Sequence, residues 1–285
     1  MKKLKFTPDQ TINAAFKVIF MAVREKLISM AKPIKKGLAY YEKGNYPKAI
    51  EEYTKAIKDA PYNHFSYRDR AYAYYLLGKY KETIKDLTKS LALYPNDANA
   101  RYARGLAYDK LEKYKEAVRD YRKTLEINPK VENCHLNLGV IYFNRQNKKK
   151  AVVEFTETIK ANPKDFRAYS NRGLIYGQQN KLDKALADYN KALKLNPKNS
   201  RDLNNRGVVC ERQKLYGKAI ADYTKAIKVD PNFAKAYYNR ARMYRLKKEY
   251  AKAIKDYDKA IKLKTDFPDA VTLRNRLKKE MSKKH

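Results

Sequence analysis

Six prolines, Pro61, Pro95, Pro129, Pro163, Pro197 and Pro231, stand 34 residues apart along the chain. A fixed internal period of that length constrains the fold more than any other feature. It marks a stack of like supersecondary units, each burying its apolar face against the next, rather than one irregular core. Register on the prolines gives seven units, 30–63, 64–97, 98–131, 132–165, 166–199, 200–233 and 234–265. Thr265 stands where a seventh proline would fall, and Pro268 follows three residues later.

Each unit reads as two helices joined by a short turn. In the fifth, Tyr169, Gly173 and Tyr176 recur at i, i+4 and i+7 and mark one helical face. Gln178–Lys181 is the turn, and Ala185, Tyr189 and Ala192 mark the facing stripe of a second helix. Asn196-Pro197 ends it, because the proline ring cannot continue a helix and biases the residue before it towards extended backbone. Two columns of small residues run through the array. One is Gly37, Ala71, Gly105, Gly139, Gly173, Gly207 and Ala241; the other is Ala49, Thr83, Ala117, Ala151, Ala185, Ala219 and Ala253. Glycine inside a helix costs about 0.5–1 kcal/mol relative to alanine, so small residues held in register predict close helix crossings.

These residues carry a resemblance. The Gly…Tyr…Ala…Tyr…Ala…Pro pattern at this period resembles the tetratricopeptide repeat (TPR) over residues 30–265. The resemblance implies an all-α, right-handed superhelical solenoid with a concave groove lined by the first helices, acting as a non-catalytic protein-interaction scaffold or adaptor. The usual large first-column residue varies here, as Pro33, Tyr67, Arg101, His135, Tyr169, Leu203 and Tyr237. The chaperone-binding class of the family holds a C-terminal carboxylate with a Lys/Asn/Arg set. This chain does not reproduce it: Ile34 and Leu38 occupy the Lys and Asn positions, and Asn239 stands where the last Arg is wanted.

The flanks read as caps. In residues 1–29, Thr7, Pro8 and Gln10 form an N-terminal helix signature. Ile12, Phe16, Ile19, Phe20, Val23 and Leu27 follow on one stripe, suited to covering the first unit or to docking on a membrane surface or partner. The most apolar run, Ala14–Val23, is ten residues long and includes Lys17, short of the roughly 20 that a membrane span needs, and it makes a poor leader peptide. Residues 266–285, with Val271, Leu273 and Leu277, read as a C-terminal capping helix and basic tail.

Within the first helices, adjacent Asn and Arg recur beside the small residue, and 100° per residue keeps them off a common face. Arg70, Arg104, Arg172, Arg206 and Arg240 are each followed sixteen residues later by Asp86, Asp120, Asp188, Asp222 and Asp256. The units without this Arg carry Lys36 with Glu52 and Leu138 with Glu154. The covariation predicts Arg–Asp pairs that hold the helices together. The Asn column, Asn137, Asn171, Asn205 and Asn239, falls on the groove face, in helical spacing with Asn133, Arg167, Arg201 and Lys235. It resembles the asparagine ladders with which some TPR proteins hold an extended peptide by its backbone, a task amides suit because they both donate and accept. Arg212 and Arg242 join Arg167, Arg201 and Lys235 in biasing the groove towards an acidic peptide.

Net charge is +34, from 65 basic and 31 acidic residues, and the seventh unit is the most basic, with eleven basic against three acidic residues. Many lysines fall on the outer face of the second helices. That face makes a nucleic-acid assembly the alternative to peptide binding, and recruitment to a membrane surface through residues 7–30 a third reading. Chemistry has little purchase. His64, His135 and His285 share no register, no phosphate-cradling glycine loop occurs, and Cys134 and Cys210 are 76 residues apart with no ligand spacing, so neither a cofactor nor a metal is expected. Two lone cysteines suit a reducing, cytoplasmic compartment.

Overall fold

A computed structural model describes residues 32–131 and 133–282. Fifteen helices and no strand occur among the described residues: α1 (Lys32–Glu42), α2 (Tyr46–Asp59), α3 (His64–Leu76), α4 (Tyr80–Leu93), α5 (Ala98–Lys110), α6 (Tyr114–Ile127), α7 (Cys134–Asn144), α8 (Lys148–Ala161), α9 (Phe166–Gln178), α10 (Leu182–Leu195), α11 (Ser200–Arg212), α12 (Tyr216–Val229), α13 (Ala234–Leu246), α14 (Tyr250–Leu263) and α15 (Pro268–Ser282). The helix expected over residues 1–29 lies outside the described residues. The chain divides into two compact units, one through Ala151 and one from Val152 on. Within each unit a helix packs chiefly on its sequence neighbours, α3 between α2 and α4, for example, and α11 between α10 and α12. That is the nearest-neighbour arrangement of a repeat stack.

The turns show why the period is punctuated as it is. The residue before each proline is extended at the five such positions where a helix cap is defined, from Ala60 (φ −138°, ψ 77°) to Asp230 (φ −131°, ψ 93°). Lys264 adopts the same conformation before Thr265, so the proline reinforces this turn without being required by it. Two residues after the proline, Asn63, Asp97, Asp165 and Asn199 accept hydrogen bonds from first-turn amides and cap α3, α5, α9 and α11. Between the helices of a pair the chain must pass through left-handed backbone, at Gly44, Gly78, Glu112, Gln146, Asn180, Lys214 and Lys248, all with φ between 56° and 74°. Only the first two are glycine.

The core follows the small columns. Tyr53, Leu87, Tyr121, Phe155, Tyr189, Tyr223 and Tyr257, one per repeat, are fully buried against Ala49, Ala117, Ala185, Ala219, Ala253 and their neighbours. The fit is tight enough to exclude a methyl group in places: a Cβ on Gly207 would lie 2.6 Å from the Tyr223 ring.

At the C-terminal end α15 is more than a solvating helix. Ala270 and Leu277 are buried with Ala241, Ala253 and Tyr257, and they stand 34 residues after Ala236 and Met243. The expected cap thus packs as the first helix of an eighth repeat.

Candidate functional site

The Arg–Asp covariation corresponds to direct contacts. Nε and Nη2 of Arg70, Arg104, Arg172, Arg206 and Arg240 donate to both oxygens of Asp86, Asp120, Asp188, Asp222 and Asp256, at 2.6–2.9 Å. The remaining nitrogen, Nη1, reaches sixteen residues back to Thr54, Thr88, Thr156, Asn190 and Thr224 on the preceding second helix, at 2.8–3.2 Å. Each guanidinium therefore clamps three helices with its planar fork. In α15, Arg274 continues the column, and its Nη1 bonds back to Asp258 at 3.0 Å. Where the column holds Leu138, the guanidinium comes from the other side: Arg122, at the Thr position, donates to the Tyr142 hydroxyl at 2.7 and 3.1 Å.

The Asn column is not uniform. Asn137 is buried and donates to the Tyr102 hydroxyl at 3.2 Å. Asn239 is buried and donates to Asn204 Oδ1 at 2.9 Å. Both bonds join successive first helices. Asn205 is half-buried beside Asn204, whose Nδ2 donates to it at 3.4 Å. Asn171 is half-buried and makes no hydrogen bond within the described residues. Asn133 does not share the helical face: it precedes α7 in left-handed backbone, φ 61°. The register position for capping α7 is Val131, which has no side-chain oxygen to offer. This helix accordingly begins at Cys134, and Asn tolerates the left-handed conformation that results.

Much of the basic set is engaged internally. Arg167 wraps onto Asp165, with Nε at 2.9 Å and Nη2 at 2.7 Å. Arg242 pairs with Glu211 at 2.7 Å. Arg212 is exposed but donates to the Gly177 carbonyl at the end of α9 and to Asn180 Oδ1, where its charge meets the negative end of the helix dipole. Arg201 and Lys235 are exposed.

Two polar clusters had no sequence signal because Arg68, Asp69, Ser170 and Asp202, which join the periodic caps Asp97 and Asn199 in them, recur in no column and are not spaced as a motif. Arg68 is buried, with Nε and Nη2 on Asp69 at 3.1 and 3.0 Å, Nη1 on Asp97 at 3.4 Å, and the Phe65 ring 4.8 Å away. Asp97 also caps α5 through the Ala100 amide. In α11, Asp202 stands in a column otherwise small, and it accepts from the Ser170 hydroxyl of α9 and from Asn199 Nδ2. Burial pushes its carboxyl up to about 6 despite the Ser170 hydrogen bond. Among the described residues no group of His, Cys, Asp and Glu could hold a metal, and no helix is long and apolar enough to cross a membrane.

A tetratricopeptide repeat model matches residues 98–131, 166–199, 200–233 and 234–267, and a related TPR repeat model matches 37–78 and 71–112. Neither match reaches 132–165, the unit with Leu138 and without a capping residue. Among solved structures, the C-terminal part of a TPR repeat-containing protein from Cytophaga hutchinsonii is 20% identical, with a TM-score of 0.70 over 84% of this chain and 98% of that one. MamA is 26% identical, at 0.56 over 60% and 98%. YrrB, described as a TPR protein with an unusual peptide-binding site, is 21% identical, at 0.59 over 66% and 97%. No curated protein matches the sequence. A 34-residue helix pair, repeated with its small columns and left-handed turns and matched by family models over 37–131 and 166–267, shows that this chain is an all-α solenoid belonging to the tetratricopeptide repeat family.

Proposed function

We propose that this repeat array is a protein-interaction scaffold whose first helices α9, α11 and α13 hold an extended, acidic segment of a partner. The observation that carries the reading is the pair Asn171 and Asn205, 34 residues apart at one register position. Both amides are half-buried, and the Asn171 side chain makes no hydrogen bond among the described residues. Asn171 offers both donor and acceptor to a peptide backbone, and Asn205, whose oxygen accepts from Asn204, offers its Nδ2. Exposed Arg201, one turn before Asn205, supplies the acidic preference, and Lys235 holds the equivalent place before Asn239. Asn137 and Asn239, although in the same column, hold neighbouring first helices together. The role is binding, without catalysis or a cofactor, and two buried cysteines that form no disulfide among the described residues fit a reducing cytoplasmic compartment.

The test is binding of the full chain to an array of extended peptides rich in Asp and Glu, with neutral and Lys-rich arrays as controls. Asn171→Ala combined with Asn205→Ala should weaken acid-rich binding about tenfold or more, from ~0.5–1.5 kcal/mol per hydrogen bond. Arg201→Gln should reduce the preference for acidic over neutral peptides. Equal retention by wild type and the double variant would sink the reading.

A further inference from the structure

The second helices of residues 182–263 present a charged face that peptide binding on the first helices leaves unused. Counted outward from the buried Tyr and Ala stripe, the solvent side of α10 carries Lys191 and Lys194, that of α12 Lys225 and Lys228, and that of α14 Lys259 and Lys262. All six are exposed, and none is paired with a carboxylate among the described residues. The three helices lie side by side, because Arg206 bonds both Asn190 and Asp222, and Arg240 both Thr224 and Asp256. The six lysines therefore form two rows of three. Between them the face carries Ala187, Ala221 and Lys255, with Asn190, Thr224 and Asp258 at the seams. Asp258 is taken by Arg274.

Two comparisons within the chain set this face apart. At the same positions in the first unit the rows are broken by Ala92 and Glu126, and Lys55 and Lys123 are held by Glu52 and Glu126 at 2.6 and 2.8 Å. In α8, Glu157 replaces one lysine and pairs with Lys160. Lys194, Lys228 and Lys262 sit in the last turns of their helices, where the dipole favours a cation. No such reason covers Lys191, Lys225 and Lys259. Each lies about 5–6 Å in Cβ spacing from its i+3 neighbour. That separation is shorter than the roughly 8 Å Debye length of physiological salt, so the two cations on each helix repel one another unless an anion covers them.

We infer that the α10–α12–α14 face binds the phosphate backbone of duplex nucleic acid, without reading its sequence. Lysine is a compact point charge that suits phosphates. The face has no exposed aromatic ring on which single-stranded bases could stack. Val229 is the one exposed large apolar residue of these three helices, well short of the apolar stripe with which a helix face enters a membrane interface. Six phosphate contacts on duplex DNA give a slope of log affinity against log salt near −5, hence about a thousandfold loss between roughly 50 and 200 mM salt.

The experiment is fluorescence anisotropy of the full chain with mixed-sequence duplex DNA and duplex RNA across a salt series. It compares wild type, Lys191→Gln/Lys225→Gln/Lys259→Gln, and a control of equal charge change on α4, Lys81→Gln/Lys85→Gln/Lys89→Gln. Exposed lysines leave the fold intact, which circular dichroism verifies. The first variant should lose about half the salt slope and at least tenfold in affinity at low salt, with the control unchanged. Equal loss in both variants would reduce the effect to diffuse charge and overturn the inference. So would tighter binding to vesicles rich in phosphatidylserine than to the duplex, or no binding at all. Acid-rich peptide binding by the first variant should stay at the wild-type level, so a failure here is distinguishable from a failure of the groove reading.

Discussion

The three-helix clamp of Arg206 makes an asymmetric prediction about stability. Its guanidinium gives two bonds to Asp222, at 2.8 and 2.6 Å, and one to Asn190 at 2.8 Å. The two partners are unequally exposed: the Arg206 side chain keeps 20% of its surface and that of Asp222 only 7%. Arg206→Ala leaves a buried carboxylate with its countercharge gone, the case that costs about 3–5 kcal/mol. Asp222→Ala leaves a cation that water and Asn190 can still reach, and should cost roughly half as much. Asn190→Ala removes one neutral acceptor, for ~0.5–1.5 kcal/mol. Arg206→Met with Asp222→Leu removes both charges and keeps the packing, so it should be more stable than Arg206→Ala alone. Because repeat arrays can unfold in parts, the measurement is urea unfolding by circular dichroism together with native-state hydrogen exchange of α11 and α12. Equal costs for the Arg206→Ala and Asp222→Ala variants, or a double variant no better than Arg206→Ala, would refute the reasoning.

Other consequences follow from turns and burial. The left-handed residues at Lys214 and Lys248 occupy the position that Gly44 and Gly78 fill without strain; Lys214→Gly and Lys248→Gly should each stabilise by about 1 kcal/mol in urea unfolding. Asp202 has its folded-state pKa raised to about 6 by burial, so the folded chain binds more protons than the unfolded one between about pH 4 and 6. Its contribution to stability is present below the unfolded value and is lost as pH rises through that window. Asp202→Asn should therefore gain on wild type by up to ~3 kcal/mol at pH 7, two pKa units' worth, and lose that advantage near pH 4. Gly207→Ala forces a Cβ onto the Tyr223 ring and should cost about 1–3 kcal/mol as overpacking, seen as a lower urea midpoint.

Period, composition and covariation were enough for the fold. A proline every 34 residues and two small columns specify a helix pair that must stack, since a pair alone cannot bury its face. Arg and Asp sixteen residues apart fall together because the helix turn and crossing are the same in every unit. The proposed binding face was less legible, for a physical reason. Helical spacing puts Asn137, Asn171, Asn205 and Asn239 on one side of their helices, but the neighbouring helix decides what each amide meets. Tyr102 stands behind Asn137 and Asn204 behind Asn239, and both amides are buried, whereas Asn171 meets no such partner. Charge was read the same way: Arg167, Arg212 and Arg242 count as basic in any composition, yet Asp165, the end of α9 and Glu211 engage them. The left-handed turn column also stayed hidden, because only Gly44, Gly78 and Asn180 favour that conformation, and Glu112, Gln146, Lys214 and Lys248 give no such signal. Sequence by itself determined which residues repeat, and so the unit and its stacking. Tertiary structure alone decided which repeated polar groups are spent on the neighbouring helix and which are not, because that depends on the opposing side chain, and the opposing side chain varies from repeat to repeat.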